Sequence, residues 1–124
     1  MDRVADILII DDDAAVREVL RRILESDGHT VREAEDGEKG LRAYRVERAD
    51  LVIADILMPV MNGLELIQEI RRESPAARII AITGYDSNEE AGYLRLAEEY
   101  GAARTFNKPV MVPELLSAVA ELVT

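Results

Sequence analysis

Three short stretches are apolar almost without interruption: "ILII" at 7–10, "LVIA" at 51–54 and "RIIAI" at 78–82. A strand with one wet face alternates polar and apolar residues, so continuous runs of this length read as strands covered on both faces. Each run also stops at a residue that an apolar layer does not want: Asp11, Asp55 and Thr83. A carboxylate at the end of a buried strand costs free energy unless something beside it needs the charge.

Weaker strand patterns lie at "TVREAE" (30–35) and "RTF" (104–106). Between the strands the periodicity changes to that of helices. Val16, Val19, Leu20, Ile23 and Leu24 line one helical face, with Gly28 just past its end. Leu64, Ile67 and Ile70 repeat the pattern after Gly63, and Leu115, Leu116, Val119 and Leu122 do so after Pro113. Residues 37–47 and 87–100 read as helices with thinner apolar faces. Five strands alternating with five helices predict an α/β fold, a parallel sheet between helix layers joined by right-handed crossovers.

The 124 residues suit one domain with one core. Lys and Arg number 15 against 25 Asp and Glu, a net charge of -10 that repels phosphate backbones and anionic lipid, so neither direct nucleic-acid binding nor membrane insertion is expected. No cysteine is present, which excludes disulfides and thiolate chemistry. The N-terminus does not read as a signal peptide and no stretch reaches the length of a membrane span, so a cytoplasmic location is expected.

In parallel α/β sheets, ligand chemistry gathers beyond the carboxyl ends of the strands. Those ends carry Asp11, Asp12 and Asp13, then Asp55, then Thr83 and Gly84, then Lys108 and Pro109. Carboxylates brought together repel unless a hard cation neutralises them, and Mg2+ suits one or two carboxylates plus a phosphoryl oxygen. An ammonium and a hydroxyl can hold the remaining oxygens of a transferred group, and a carboxylate can be its acceptor. Singly, each residue has an ordinary explanation: one of the three aspartates as a helix N-cap, Asn62-Gly63 as a turn pair, Thr83 as a β-former, Lys108 as a surface lysine. Their agreement on one edge favours the chemical reading. His29, the sole histidine, reads as a surface turn residue, and Tyr93 with Tyr100 as packing or partner contacts on one helical face.

The ordered set "ILIIDDD", "DILMPVMNG", "AITGY" and "NKPV" resembles the receiver domains of two-component response regulators, and the likeness spans residues 1–124. The resemblance implies a flavodoxin-like three-layer sandwich with strand order 2-1-3-4-5. It implies that Asp55 accepts a phosphoryl group from a phosphohistidine of a histidine kinase or histidine phosphotransfer protein. Asp11 and Asp12 would form an acidic pocket. Asp12, Asp55 and the carbonyl of Leu57 would bind Mg2+, with Asp11 acting through water. Thr83, Gly84 and Lys108 would hold the phosphoryl group, and Lys108-Pro109 would be a cis peptide. The output would be contact with a downstream protein target or a phosphorelay, from a monomer or weak dimer.

Three positions depart from the commonest pattern of the family. Thr105 stands where many relatives carry a switch aromatic, and Phe106 should point to the opposite face because strand side chains alternate. Thr83 and the fourth helix remain as the expected two-state element. Leu57 and Tyr85 occupy positions that govern water access to the acyl phosphate, and both are bulky, which predicts slow hydrolysis. The rival class is a Mg2+-dependent phosphatase or phosphotransferase with an aspartyl-phosphate intermediate, which usually carries a second Asp where this chain has Leu57. A non-phosphorylated scaffold is disfavoured by the intact acidic residues, Thr83 and Lys108. An end at Thr124 is read as mildly favouring a single-domain regulator, although a domain cut from a larger regulator or hybrid kinase would look the same.

Overall fold

The computed structural model describes residues 4–84 and 88–123. Five strands alternate with five helices: β1 (Asp6–Ile10), α1 (Ala14–Ser26), β2 (Thr30–Ala34), α2 (Gly37–Val46), β3 (Leu51–Asp55), α3 (Gly63–Glu73), β4 (Ile79–Thr83), α4 (Asn88–Tyr100), β5 (Arg104–Asn107) and α5 (Val112–Val123). The strands form one parallel sheet in the order β2-β1-β3-β4-β5, the flavodoxin-like order that the resemblance implies. No helix among the described residues is long and apolar enough to cross a membrane.

Strand alternation divides the core in two. Leu8, Ile10, Val52, Ala54, Ile79 and Ala81 face α2, α3 and α4, where they meet Leu41, Tyr44, Leu66, Ile67 and Ile70. Ile7, Ile9, Leu51, Ile53, Ile80 and Ile82 face the other way and pack on Leu20, Leu24, Leu115 and Val119 of α1 and α5. The continuous apolar runs are therefore two alternating sets read together, one for each helix layer. The central strands β3 and β4 are buried at every residue, while the edge strand β2 buries only Ala34, which is why its pattern is weaker in sequence.

Two assignments change in three dimensions. Val19 belongs to the apolar stripe of α1 by spacing, yet it is 56% exposed, because Leu20 and Leu24 point at the sheet and the stripe is wider than the contact. His29 is not a surface residue: only 7% of it is exposed. Its Nδ1 accepts a hydrogen bond from the Ala5 N–H at 3.1 Å, and its Nε2 lies 3.3 Å from Asp27 Oδ2. The ring thus occupies the turn into β2 with both nitrogens engaged. Tyr100 packs against the core and Tyr93 stays partly exposed.

The β3–α3 connection brings the backbone back on itself. The Gly63 N–H donates to the Ile56 carbonyl at 2.7 Å, and a Cβ on Gly63 would lie 2.3 Å from the Asp55 carbonyl oxygen. Only glycine allows that approach. Asn62 caps α3 by accepting from the Glu65 N–H while Glu65 reaches back to the Asn62 N–H, so "NG" is a helix start rather than a simple turn. One residue of this loop is strained: Val60 has φ 71°, a left-handed conformation that is an outlier for a β-branched residue, and its side chain is 75% exposed. Val60→Gly or Val60→Asn should therefore stabilise the fold by roughly 1 kcal/mol, relief of strain outweighing the little burial lost. Thermal unfolding measures this, and a lower midpoint for both variants would refute the strain argument.

Candidate functional site

β1, β3, β4 and β5 end at the same edge of the sheet. β1 and β3 run in register, with Ile10 beside Ala54, so the residues that follow them, Asp11 and Asp55, emerge side by side. The register of β3 with β4 sets Asp55 beside Ile82, which places Thr83 one residue farther along. Thr83 pairs with Asn107, and the Lys108 N–H donates to the Thr83 carbonyl at 2.7 Å, so the lysine leaves β5 anchored to the strand that carries the threonine. The Lys108-Pro109 peptide is cis.

The carboxylates of Asp11, Asp12 and Asp55 have oxygens all within 4.8 Å of one another. Asp11 and Asp55 are buried and Asp12 is exposed. Lys108 Nζ sits 2.8 Å from Asp11 Oδ2 and 3.5 Å from Asp55 Oδ2. Two of the three carboxylates thus share one ammonium, and the third, Asp12, lies beside them. Asp55 Oδ1 and the buried Thr83 Oγ1 have no hydrogen-bond partner, although both lie away from water. Buried polar atoms are nearly always satisfied, so two orphans in one cluster mark a place prepared for something else.

The electrostatics agree with the geometry. Burial pushes the Asp55 carboxyl up to about 6, the Asp11 and Asp12 charges push the same way, and the Lys108 charge and the Leu57 N–H oppose them only in part. Burial alone would lower the Lys108 ammonium, but the Asp11 carboxylate that accepts its hydrogen bond and the Asp55 charge more than reverse this, leaving it raised. Lysine stays charged, and the surplus at the site is negative.

The remaining expected residues fall as follows. Gly84 is exposed at the end of β4, and a Cβ placed on it would meet only the Lys108 side chain, at 3.9 Å. Leu57 follows Asp55 by two residues and is 40% exposed. Tyr85 lies outside the described residues. Asp13 is not drawn into the acidic cluster: it is the N-cap of α1, accepting from the Ala15 N–H at 2.9 Å. Thr105 pairs with Ala81 on the α2–α4 side and donates its hydroxyl to Glu98 of α4 at 3.0 Å, while Phe106 packs in the α1–α5 cluster. The two side chains do point to opposite faces. One residue that sequence reading did not single out also reaches the site: Arg17 donates to the Asp11 carbonyl and is itself held by Glu33 of β2. Nothing in the spacing of Arg17 and Glu33 announces that pairing, because it depends on the strand register.

A raised carboxyl in the folded state means that stability is full below the unfolded pKa and is lost as pH rises through the folded one. In the metal-free protein, stability should fall between about pH 4 and pH 6 as Asp55 ionises. Asp55→Asn should remove that fall and raise stability at neutral pH by an amount on the order of 2 to 3 kcal/mol. Urea unfolding across this window checks it, and parallel profiles for parent and variant would contradict the assignment.

Comparison with known proteins gives a consistent result. The family model described as the response regulator receiver domain matches residues 7–120. The chemotaxis protein CheY of Halobacterium salinarum is 32% identical over 118 residues, covering 95% of this chain and 96% of that protein. The response regulator MprA of Mycolicibacterium vanbaalenii is 37% identical over 118 residues, 94% of this chain, and the chain spans about half (49%) the length of that relative. Among solved structures, a CheY-like receiver domain protein from Methanospirillum hungatei superposes with a TM-score of 0.88 at 32% identity, covering 98% of this chain and 94% of that one. The signal receiver domain of a signal transduction histidine kinase from Syntrophus aciditrophicus does so with a TM-score of 0.86 at 28% identity, covering 97% and 90%. Family match, relatives and sheet order agree, and the chain belongs to the response regulator receiver domains of two-component signalling.

Proposed function

We propose that Asp55 is a phosphoacceptor and that its phosphorylation switches the domain. The observation that supports this most is the acidic cluster itself, in which the buried Asp55 and Asp11 share a single ammonium, the exposed Asp12 lies beside them, and Asp55 Oδ1 and Thr83 Oγ1 lack partners. An Asp55 carboxylate oxygen attacks phosphorus of a phosphohistidine, the P–N bond breaks, and the electron pair leaves on the imidazole nitrogen. The product is an acyl phosphate on Asp55. Lys108 gives its ammonium to one phosphoryl oxygen, and the Thr83 hydroxyl and Gly84 N–H offer hydrogen bonds to others.

The donor set fits a hard divalent cation: all oxygens, excess negative charge and an orphaned buried oxygen. Asp12, Asp55 and the Leu57 carbonyl would hold Mg2+, with Asp11 through water, and the ion would neutralise the charge that builds up as phosphate arrives. The Thr83 hydroxyl, free in this state, would turn toward the phosphoryl group, and α4 would follow through its packing on β4 and the Thr105–Glu98 bond. No aromatic at position 105 is needed for that path. The domain then signals by contact with a downstream protein or by passing the group on. The phosphatase rival is disfavoured by Leu57, which leaves no second carboxylate two residues past Asp55 to act as general acid.

A phosphohistidine must approach from a surface beside Lys108. An apolar groove of about 440 Å³ lies there, walled by Val16, Val19, Ile23, Pro109 and Val110. A helix carrying the phosphohistidine would bury the exposed Val19 in it, which gives that residue a reason to be apolar.

Incubation with Mg2+ and acetyl phosphate should add one phosphoryl group per chain, on Asp55, seen by mass spectrometry. Labelling of Asp55→Ala at the parent's rate, or catalytic turnover of donor without an adduct, would defeat the proposal. Because Leu57 offers no group to orient an attacking water, the adduct should decay slowly, and a half-life of seconds would count against that part. Val19→Asp should slow transfer from a phosphohistidine protein by roughly tenfold, as expected for a charge placed in an apolar contact, while acetyl phosphate labelling is unchanged. Equal loss with both donors would argue that the groove is not the docking surface.

A further inference from the structure

Two side chains from outside grip the loop that carries Asp11 and Asp12: Lys108 holds the Asp11 carboxylate, and Arg17 holds the backbone. Arg17, in the first turns of α1, points back toward the helix start, as helical side chains do, and its Nη1 donates to the Asp11 carbonyl at 2.6 Å. Its Nε donates to Glu33 Oε1 at 3.1 Å, and the other Glu33 oxygen accepts from Arg21 Nη1 at 2.5 Å. The Arg17 side chain is only 16% exposed and that of Glu33 24%, so this is a partly buried clamp rather than a surface ion pair. Apart from the Lys108 contact with the Asp11 carboxylate, the other bonds of the loop among the described residues are made by the backbone or by its own aspartates, as in the Asp11 N–H to the Ala34 carbonyl at 3.2 Å and the Asp13 N–H to Asp11 Oδ1 at 2.9 Å.

We infer that Arg17, braced by Glu33, is a positioning residue that fixes the Asp11–Asp12 peptide plane and thereby aims the exposed Asp12 carboxylate at the cation site. The Asp11 carbonyl and the Asp12 N–H belong to one rigid plane, so gripping the oxygen sets where the chain places the Asp12 Cα. Asp12 needs this more than its neighbours. Asp11 and Asp55 are buried and held by Lys108, whereas Asp12 is exposed and sits outside the sheet. The inference rests on the phosphoacceptor reading for what the cation is for, but the clamp itself is a matter of hydrogen bonds.

Charge and positioning make opposite predictions, which makes the test sharp. A guanidinium near a cation site repels the cation, so if Arg17 acted only as a charge its removal would tighten Mg2+ binding. A positioning role predicts the reverse, a loss of the size seen when groups behind metal ligands are removed. Mg2+ alone is titrated calorimetrically into the parent, Arg17→Ala, Arg17→Lys, Glu33→Gln and Asp55→Asn, with the folded fraction of each checked by circular dichroism. We expect the Mg2+ dissociation constant to rise roughly tenfold in Arg17→Ala, nearly as much in Arg17→Lys, which keeps the charge and loses the forked geometry, and less in Glu33→Gln. Amide hydrogen exchange at Asp12 in the metal-free protein should speed up in the same order. Unchanged or tighter Mg2+ binding in folded Arg17→Ala overturns the inference. Should that variant not fold, the same result in Arg17→Lys and Glu33→Gln overturns it. A parent that binds no Mg2+, or binds it as well after Asp55→Asn, overturns the phosphoacceptor reading instead and takes this inference down with it.

Discussion

The structure is organised around a surplus of negative charge that cannot be relieved from within. Two buried carboxylates meet one lysine with an exposed third beside them, and the central strands β1, β3 and β4 that bring them together are almost wholly buried. Moving Asp11 and Asp55 apart would mean pulling β1 or β3 out of a core in which every residue of β3 is buried. The apolar packing therefore holds the charged site in a state of higher free energy than the carboxylates would choose. Low stability at one edge is offset by the aliphatic layers on both sides of the sheet.

That tension explains why the surrounding details are so constrained. Gly63 lets the β3–α3 loop fold tightly under Asp55, and the capping box of Asn62 and Glu65 starts α3 at once. Asp13 caps α1 and so keeps the acidic loop short, while the Lys108 N–H is bonded to the Thr83 carbonyl. Each device fixes backbone rather than side chain. Asp55 Oδ1 and Thr83 Oγ1, buried side-chain atoms without a hydrogen-bond partner among the described residues, are ones that the proposed chemistry would use.

Family membership and site geometry bear on different questions. The receiver family is one of signalling switches that work with a kinase or phosphotransfer partner. Relatives of similar fold occur as CheY itself, within proteins about twice this length such as MprA, and within a histidine kinase. The geometry supports a proposal for which atoms of this chain would take part in the reaction. It also puts Thr105, in place of an aromatic, in a hydrogen bond to α4, so the mechanical link between β5 and α4 here is polar.

By itself the sequence determined the fold class, the number of elements and the ends of the strands that matter. Those depend on local patterns: continuous apolar runs for strands covered on both sides, 3.6-residue spacing for helices, and Asp, Thr and Lys where the runs stop. Strand order was legible only through the resemblance, since periodicity carries no information about which strands are neighbours. Tertiary structure alone decided the rest. Val19 is exposed because a helix contacts the sheet along a narrower line than its apolar stripe, and His29 is buried because the Ala5 N–H at the start of the chain needed an acceptor. Arg17 reaches the Asp11 carbonyl across the short β1–α1 turn and found Glu33 because the register between β1 and β2 brought it within reach, and the raised Asp55 carboxyl follows from burial beside Asp11. Local preference is written residue by residue, whereas burial, pairing and electrostatic strain exist only between residues that the fold has brought together.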